Sequence, residues 1–300
     1  MKIAFNTDVS LSAKTTFKIG GAARHYVQPV SIEDVKECIA WARTHGEPVF
    51  ILGKGSNVLI SDKGWPGLVI DAGARFDAIT WNQNRAVCLS GAALNKLVHE
   101  MLDRGLRGLE HLGGIPGSVG GALVMNAGAY GHSVSECVES IDYYDYSDKE
   151  IRTLSSVGLE AGYRRTMFST RPAFILSGVF QCSPDDSNEA PRTFRECIAK
   201  RKEKHPLDLP NCGSVFKNLP GRVAAASLIE QCGLKGLRSG DAEVSHKHAN
   251  FIVNVGRATA ADVRHLIVQV QKTVYEKQGI SLEPEVVFVG EFGEELFNPG

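Results

Sequence analysis

No apolar run in this 300-residue chain approaches the roughly 20 residues that a bilayer crossing needs. Its first ten residues, MKIAFNTDVS, also lack the long apolar core of a secretory signal, so a cytoplasmic protein is expected. A dominant charge is missing too. The 33 Lys and Arg balance 34 Asp and Glu to a formal net charge of -1, which leaves no general basic field for nucleic acid or an anionic membrane. The seven cysteines, Cys38, Cys88, Cys137, Cys182, Cys197, Cys212 and Cys232, never form a C-x-x-C pair and are odd in number. That pattern argues against a disulfide frame and against a thiolate zinc site, and for reduced, buried thiols. Internal repeats and low-complexity tracts are also absent. The expected partner is one small molecule bound locally.

What the chain does have is length for more than one domain and a large count of glycine, 31 against 12 prolines. A helix is predicted from the S-x-x-D cap at Ser31, with Val35, Cys38, Ile39 and Ala42 on one face and Gly46 as its stop. The apolar segments Val49 to Leu52, Val58 to Ile60 and Leu68 to Ile70 read as strands, making the first unit a β-α-β-β arrangement. Leu94, Leu97, Val98, Met101 and Leu102 mark an amphipathic helix that ends at Gly105. Strand-like runs follow at Ser140 to Tyr146 and Ala173 to Phe180, and the polar stretch QCSPDDSNEAP is a linker candidate ahead of a helix from Arg192 to Lys204. The last third predicts a helix near Val223 to Cys232, a strand at Ala249 to Val255, and a long helix between the Thr259-x-x-Asp262 cap and Gly279.

Glycine is concentrated in two places. Gly53-Lys54-Gly55-Ser56-Asn57 follows the first of these strands, and Gly113-Gly114-Ile115-Pro116-Gly117-Ser118-Val119-Gly120-Gly121-Ala122 holds five glycines in ten residues, continued by Asn126-Ala127-Gly128-Ala129-Tyr130-Gly131. Without a Cβ, backbone N–H groups can converge on an anion, so such loops suit a dinucleotide pyrophosphate. Tight turns and close packing are the competing explanation. Neither loop is a Walker sequence, and neither fits G-x-G-x-x-G, because Val58 stands where the third glycine belongs.

The turn G-x-G-S-N, then G-I-P-G-S-V-G-G-A and N-A-G-A-Y-G, resembles FAD-binding domains of the PCMH/vanillyl-alcohol-oxidase type. With Thr15-Thr16-Phe17-Lys18-Ile19-Gly20-Gly21, Gly162-Tyr163-Arg164, Cys212-Gly213-Ser214-Val215-Phe216-Lys217-Asn218, Lys247-His248-Ala249-Asn250-Phe251 and Leu282-Glu283-Pro284-Glu285-Val286, the whole chain resembles the UDP-N-acetylenolpyruvoylglucosamine reductase (MurB) family. The resemblance implies an α+β fold: an FAD-binding domain of two α+β subdomains, residues 1–72 with 280–300 and residues 73–208, plus a C-terminal α+β substrate-binding domain at 209–279. The short stretch between Arg164 and Ala173 leaves no room for a capping insertion and implies the shorter, second subtype.

That resemblance implies non-covalent FAD in contact with Leu52, Gly53, Lys54, Gly55, Ser56 and Asn57 and with Gly113, Gly114, Ile115, Pro116, Gly117, Ser118, Gly120, Gly121 and Ala122. NADPH would be the reductant and UDP-N-acetylglucosamine enolpyruvate the substrate, in a ping-pong order. Reducing an enol ether conjugated to a carboxylate requires a hydride donor, fixed positive charge beside the carboxylate and a proton source. The resemblance implies reduced FAD, Arg164 with Glu285 assisting, and Ser214 in those roles, with Tyr163, Lys204, Asn218 and His248 lining the substrate. Arg165 beside Arg164, and Glu283 two residues before Glu285, leave the pairings open to sequence. The basic run Lys200-Arg201-Lys202-Glu203-Lys204 reads as a solvated helix end. His246 and His248 lack a third ligand, so no metal is expected. A monomer is expected. Ser227, Asp241, His246 and Val287 depart from the family pattern and bear on substrate contacts. Another flavin oxidoreductase of this fold, an alcohol or lactone oxidase, and a catalytically silent nucleotide-sugar or flavin binding module stay open as alternatives.

Overall fold

A computed structural model describes residues 4–171, 173–219, 221, 223–293 and 297. Six α-helices are described: α1 (Ile32–His45), α2 (Leu94–Asp103), α3 (Val119–Met125), α4 (Ala190–Lys204), α5 (Ala225–Gln231) and α6 (Ala260–Gln278). The capping signals read from sequence act as expected. Ser31 and Asp34 form a reciprocal box ahead of α1, Thr259 and Asp262 form another ahead of α6, and Gly46 and Gly279 end these helices in the left-handed conformation.

Two sheets form the N-terminal two thirds. A four-stranded sheet has the spatial order Asn6–Ser10, Ala22–Val27, Trp65–Asp71, Val49–Leu52. A five-stranded antiparallel sheet runs Ile151–Ser155, Val138–Asp145, Ala173–Gln181, Arg85–Leu89, Ile79–Asn82. The apolar face of α1 joins them, because Val35, Cys38, Ile39 and Ala42 pack in one cluster with Leu68 and Ile70 of the first sheet and Phe174 and Leu176 of the second. Helices α2 and α3 cover the five-stranded sheet, with Leu97, Val98, Met101 and Leu123 against Ala86, Ile141 and Phe180. The architecture is α+β.

The first unit is richer than the β-α-β-β reading. Its strands Asn6–Ser10 and Ala22–Val27 carry Asn, Thr, Asp, Arg and His, which hide the alternation, and Val58–Ile60 leaves the sheet to pair in parallel with Val287–Val289. The hairpin Ile79–Asn82 and Arg85–Leu89 was also not legible, since its outward positions mix polar Thr80, Asn82 and Arg85 with apolar Val87. All seven cysteines are free and buried, and burial pushes the thiols of Cys38, Cys88, Cys182 and Cys212 up to about 12. Among the described residues no helix is long and apolar enough to cross a membrane.

The C-terminal part is built on α6. Val263, Leu266, Ile267, Val270 and Val274 are buried at the helical spacing, and each such side chain contributes about 1.5–3 kcal/mol of transfer free energy. Phe17, Ile19 and Leu59 from the start of the chain enter the same cluster. A polar joint reinforces it: both Asp62 carboxylate oxygens accept hydrogen bonds from the first N–H groups of α6, at Ala260 (2.8 Å) and Ala261 (3.0 Å). Asp62→Ala is expected to lower unfolding stability by about 1 kcal/mol, while Asp62→Ser keeps much of it. Urea denaturation followed by circular dichroism measures this, and an unchanged midpoint would contradict a capping role.

Candidate active site

The two glycine loops, about sixty residues apart in sequence, face each other. The Ser56 hydroxyl donates to the Pro116 carbonyl at 3.1 Å, a Cβ on Gly117 would stand 3.0 Å from Ser56 Oγ, and a Cβ on Gly53 would stand 3.3 Å from that of Ser118. Among the described residues, no protein acceptor meets the N–H groups of Lys54, Gly55, Ser56, Asn57, Gly117 and Ser118. Six such donors on two apposed loops, with side-chain bulk excluded, have the chemistry that a pyrophosphate would require. The remaining expected contacts divide. Gly113, Gly114 and Gly120 make room for protein: Cβ atoms there would lie 2.6 Å from Phe194 Cε2, 2.8 Å from Ile198 Cδ1 and 2.8 Å from Ser90 Cβ. Leu52 is buried and its carbonyl accepts from Ala72, and Lys54 Nζ donates to the Gly73 carbonyl, so both brace the loop from behind. Ser118 caps α3 by accepting from Gly121 N–H at 3.3 Å, which leads the chain on to Ala122, itself bonded to the Ser118 carbonyl at 2.9 Å.

Arg164 sits in a tight turn closed by two bonds between Gly162 and Arg165 and held by Asn126 Nδ2, which donates to the Gly162 carbonyl at 2.9 Å. Its φ of +55° is unusual for a non-glycine residue, a conformation that persists where the surroundings over-determine it. The turn aims Arg164 inward and leaves Arg165 exposed. Arg164 Nε donates to Glu285 Oε1 at 2.7 Å, Nη2 donates to the Gly128 carbonyl at 2.9 Å, and the guanidinium lies 5.0 Å from the centre of the Tyr163 ring.

Glu285 comes from the segment after α6. Its N–H donates to the Val215 carbonyl at 2.7 Å, its carbonyl accepts from Asn57 Nδ2 at 3.1 Å, and Lys217 pairs with Glu283 instead. The competition between the two glutamates is thus settled by their cationic partners. Ser214 precedes Val215, so its peptide neighbours the one bonded to Glu285, and among the described residues no hydrogen bond holds its hydroxyl. The turn that presents it needs Gly213, whose φ is +84° and whose N–H donates to Asn211 Oδ1 at 2.9 Å. Tyr163 and Asn218 meet, with Asn218 N–H donating to the tyrosine hydroxyl at 3.2 Å. Lys204 is exposed. His248 is half-buried against His205 and Phe251, and burial lowers its pKa.

Sequence reasoning missed two residues. Buried Asn250 accepts from Phe216 N–H at 2.9 Å and donates to the Phe216 carbonyl at 2.8 Å, pinning the Ser214 loop. Arg201 is the second, and it corrects the reading of its basic run: Lys200, Lys202 and Lys204 are exposed, but the Arg201 Nε is buried. The signal was its spacing, since Arg201 falls seven residues after Phe194 and four after Cys197, on the inward face of α4.

Residues 23–155 match a family of FAD-binding domains, and residues 205–289 match the UDP-N-acetylenolpyruvoylglucosamine reductase C-terminal domain. A Synechococcus sp. protein of that name is 40% identical over 97% of this chain and 93% of its own length; the Caldicellulosiruptor saccharolyticus protein is 40% identical over 99% and 96%. The chain belongs to the UDP-N-acetylenolpyruvoylglucosamine reductase family. The crystal structure of the Thermus caldophilus reductase superposes with a TM-score of 0.81 at 33% identity, covering 96% of this chain and 100% of that one. FAD is the cofactor of this reductase-type fold, and the FAD-binding match contains both apposed glycine loops. Ser214 and Glu285 fall in the reductase C-terminal match. Among the described residues no group of His, Cys, Asp or Glu is placed to hold a metal ion.

Burial raises the Glu285 pKa above the ordinary glutamate value, against the opposing pull of Arg164 and then Lys217. A carboxyl with a raised folded-state pKa binds its proton more tightly in the folded protein. Its contribution to stability is therefore full below the ordinary glutamate range and is lost as pH rises through the raised value. Stability measured from about pH 4 to 7 should fall for the wild type relative to Glu285→Gln. Parallel curves would contradict this assignment.

Proposed function

We propose that this protein reduces the enolpyruvyl double bond of UDP-N-acetylglucosamine enolpyruvate to give UDP-N-acetylmuramate, a peptidoglycan precursor, with NADPH as reductant. The observation that carries the reading is the convergence of Arg164, Glu285 and the Ser214 loop next to a cradle of unpaired N–H groups. Bound FAD, reduced by NADPH, supplies the reducing equivalent.

The residues of the chain do the rest. The Arg164 guanidinium, fixed by Glu285 and the Gly128 carbonyl, provides positive charge where the substrate carboxylate gains enolate character. Preorganisation matters here because both partners are held before substrate arrives. The Ser214 hydroxyl donates the proton to the α-carbon. A serine is a weak acid, but an enolate carbon is strongly basic, so position counts for more than a lowered pKa. Glu285 keeps Arg164 oriented and assists proton handling from its half-buried position. Tyr163, Asn218, Lys204 and His248 line the nucleotide-sugar side, where one or two cations suit a diphosphate.

The same reading divides the chain at 1–72 with 280–300, at 73–208 and at 209–279, and has the protein act as a cytoplasmic monomer. Residues 1–3, 294–296 and 298–300 of the first unit lie outside the described residues.

The test is direct. The purified protein should carry flavin absorbance and oxidise NADPH steadily only when the enolpyruvyl nucleotide sugar is present. Oxidation with oxygen alone would favour an oxidase, and a colourless protein a silent binding module. In Ser214→Ala, NADPH should still bleach the flavin at the wild-type rate, while reoxidation by substrate slows by about 100- to 10,000-fold. Equal loss of both half-reactions would rule out the proton-donor role.

A further inference from the structure

Two histidines without a part in the reaction meet face to face at the root of the second glycine loop. His111 lies in the single 3-10 turn Glu110–Leu112, just before Gly113, and His132 opens the short strand His132–Ser133. Their rings are stacked, with centroids 3.8 Å apart and planes inclined by 21°. Each ring has its own carboxylate: Glu136 Oε2 is 2.9 Å from His132 Nδ1, and Oε1 of the buried Glu110 is 3.9 Å from His111 Nδ1. The strand His132–Ser133 pairs with Gly128–Ala129 in a hairpin that turns at Tyr130 and Gly131, whose φ values of +55° and +85° suit a tight two-residue turn. His132 stands opposite Ala129 in that pairing, and the neighbouring Gly128 carbonyl is the one that accepts from Arg164 Nη2 at 2.9 Å. The stack therefore ties the support of Arg164 to the base of the glycine loop.

The charge on the rings limits this contact. A neutral imidazole stacks on a neutral or a charged partner, whereas two imidazolium rings with centroids 3.8 Å apart repel each other. Burial and then His132 hold the His111 pKa below the ordinary histidine value; Arg107 acts the same way, and Glu110 and Glu136 oppose it. At Glu136 burial is outweighed by the His132 hydrogen bond and the Ser133 N–H, which lower its pKa. Two thiols, Cys137 and, on α4, Cys197, also feel Glu110, and burial keeps both protonated. Lys200 and Arg201 of α4 lie over the Tyr130 ring at the hairpin tip, 5.7 and 5.9 Å from its centre. We propose that the stack of His111 on His132 is a positioning contact for Arg164: it fixes the hairpin whose Gly128 carbonyl holds the guanidinium, and it persists only while at least one of the two rings is neutral. The inference rests on the role given to Arg164 above. Substrate reduction, and not reduction of the flavin by NADPH, is then the step that fails when both rings are charged.

His111→Phe keeps a ring for stacking but cannot take a proton, and His111→Ala removes the ring. At about pH 7.5 the Phe variant should reoxidise its flavin with the enolpyruvyl substrate at the wild-type rate, while the Ala variant slows by about 10- to 100-fold, with flavin reduction by NADPH unchanged in both. As the pH falls to about 5, the wild type should lose rate relative to the Phe variant by a similar factor. Glu285 titrates in both proteins, so the difference belongs to the histidine pair. A lowered folded-state pKa contributes stability that is full above the ordinary histidine value of about 6.5 and is lost as pH falls through the lowered one, so the wild type should also lose unfolding stability relative to the Phe variant over that range. Independently of turnover, amide hydrogen exchange across residues 126–134 should be faster in His111→Ala than in His111→Phe. Equal protection there, or coincident pH profiles for the wild type and the Phe variant, would overturn the proposal. Equal loss of both half-reactions in the Ala variant would overturn it in favour of a contact that holds the glycine loop alone. A wild type that fails to reduce the enolpyruvyl substrate would refute the role of Arg164 and this proposal with it, whereas the exchange pattern fails only if the stack does not hold the hairpin.

Discussion

The ion pair between Arg164 and Glu285 is the constraint around which the site is assembled. Its partners are 121 residues apart, and each needs the fold to hold it. Arg164 depends on a left-handed turn braced by Asn126. Glu285 depends on Val215 for its N–H and on Asn57 for its carbonyl, so one residue is bonded to the Ser214 loop, to the first glycine loop and to Arg164. The charges are partly withdrawn from water, with side-chain exposures of 21% and 14%. In that setting the pair contributes little net stability, because desolvation offsets the attraction. Its value is positional: breaking either side would leave the other half-buried, unpaired and misdirected.

The fold meets this constraint with a chain that returns on itself. After α6 the backbone passes Phe216, where Pro284 forms an isolated bridge, and then pairs Val287–Val289 with Val58–Ile60. The same few residues therefore tie the C-terminal part to the strand that emerges from the first glycine loop. Asp62 capping α6 and Phe17 in the core of α6 bond the same two parts a second and third time. A gap between the first glycine loop and the Ser214 loop would have to break all of these at once, which explains how a site drawn from distant segments keeps its geometry without a metal or a disulfide among the described residues.

Much of this was legible in the sequence, for identifiable reasons. Helices α1 and α6 announce themselves through reciprocal caps and a single apolar face, and the glycine loops through density. The edge strand Asn6–Ser10 was not legible because its residues are nearly all polar and exposed, and Ile79–Asn82, though it alternates, because two apolar residues make too short a pattern to stand out. The choice of Arg164 over Arg165 and of Glu285 over Glu283 came from resemblance to a family; only the turn at Gly162 and the pairing of Lys217 with Glu283 supply a physical reason. Glycine itself was read too simply. Gly117 and Gly53 keep the space between the loops clear, but Gly113, Gly114 and Gly120 are required because α4 and Ser90 press against them.

A net charge of -1 describes the whole surface and conceals the interior. Near the site, among the described residues, Arg164 pairs with Glu285 and Lys217 with Glu283 while Arg201 makes no ion pair, and Glu285 is half-buried while Glu283 is 69% exposed. Neighbouring His205 adds no positive charge at neutral pH, since burial and then Arg201 push its pKa down to about 4. The local surplus is therefore carried by arginines, which cannot shed it. Surface charge is screened within roughly 8–10 Å at physiological salt, but charge inside a cleft is not, so a neutral protein can still select an anionic ligand strongly at one point. The unpaired N–H groups of the loops add partial positive charge to the same field. Selectivity for a small, multiply anionic guest then follows from where charge is buried, and the overall composition has no bearing on it.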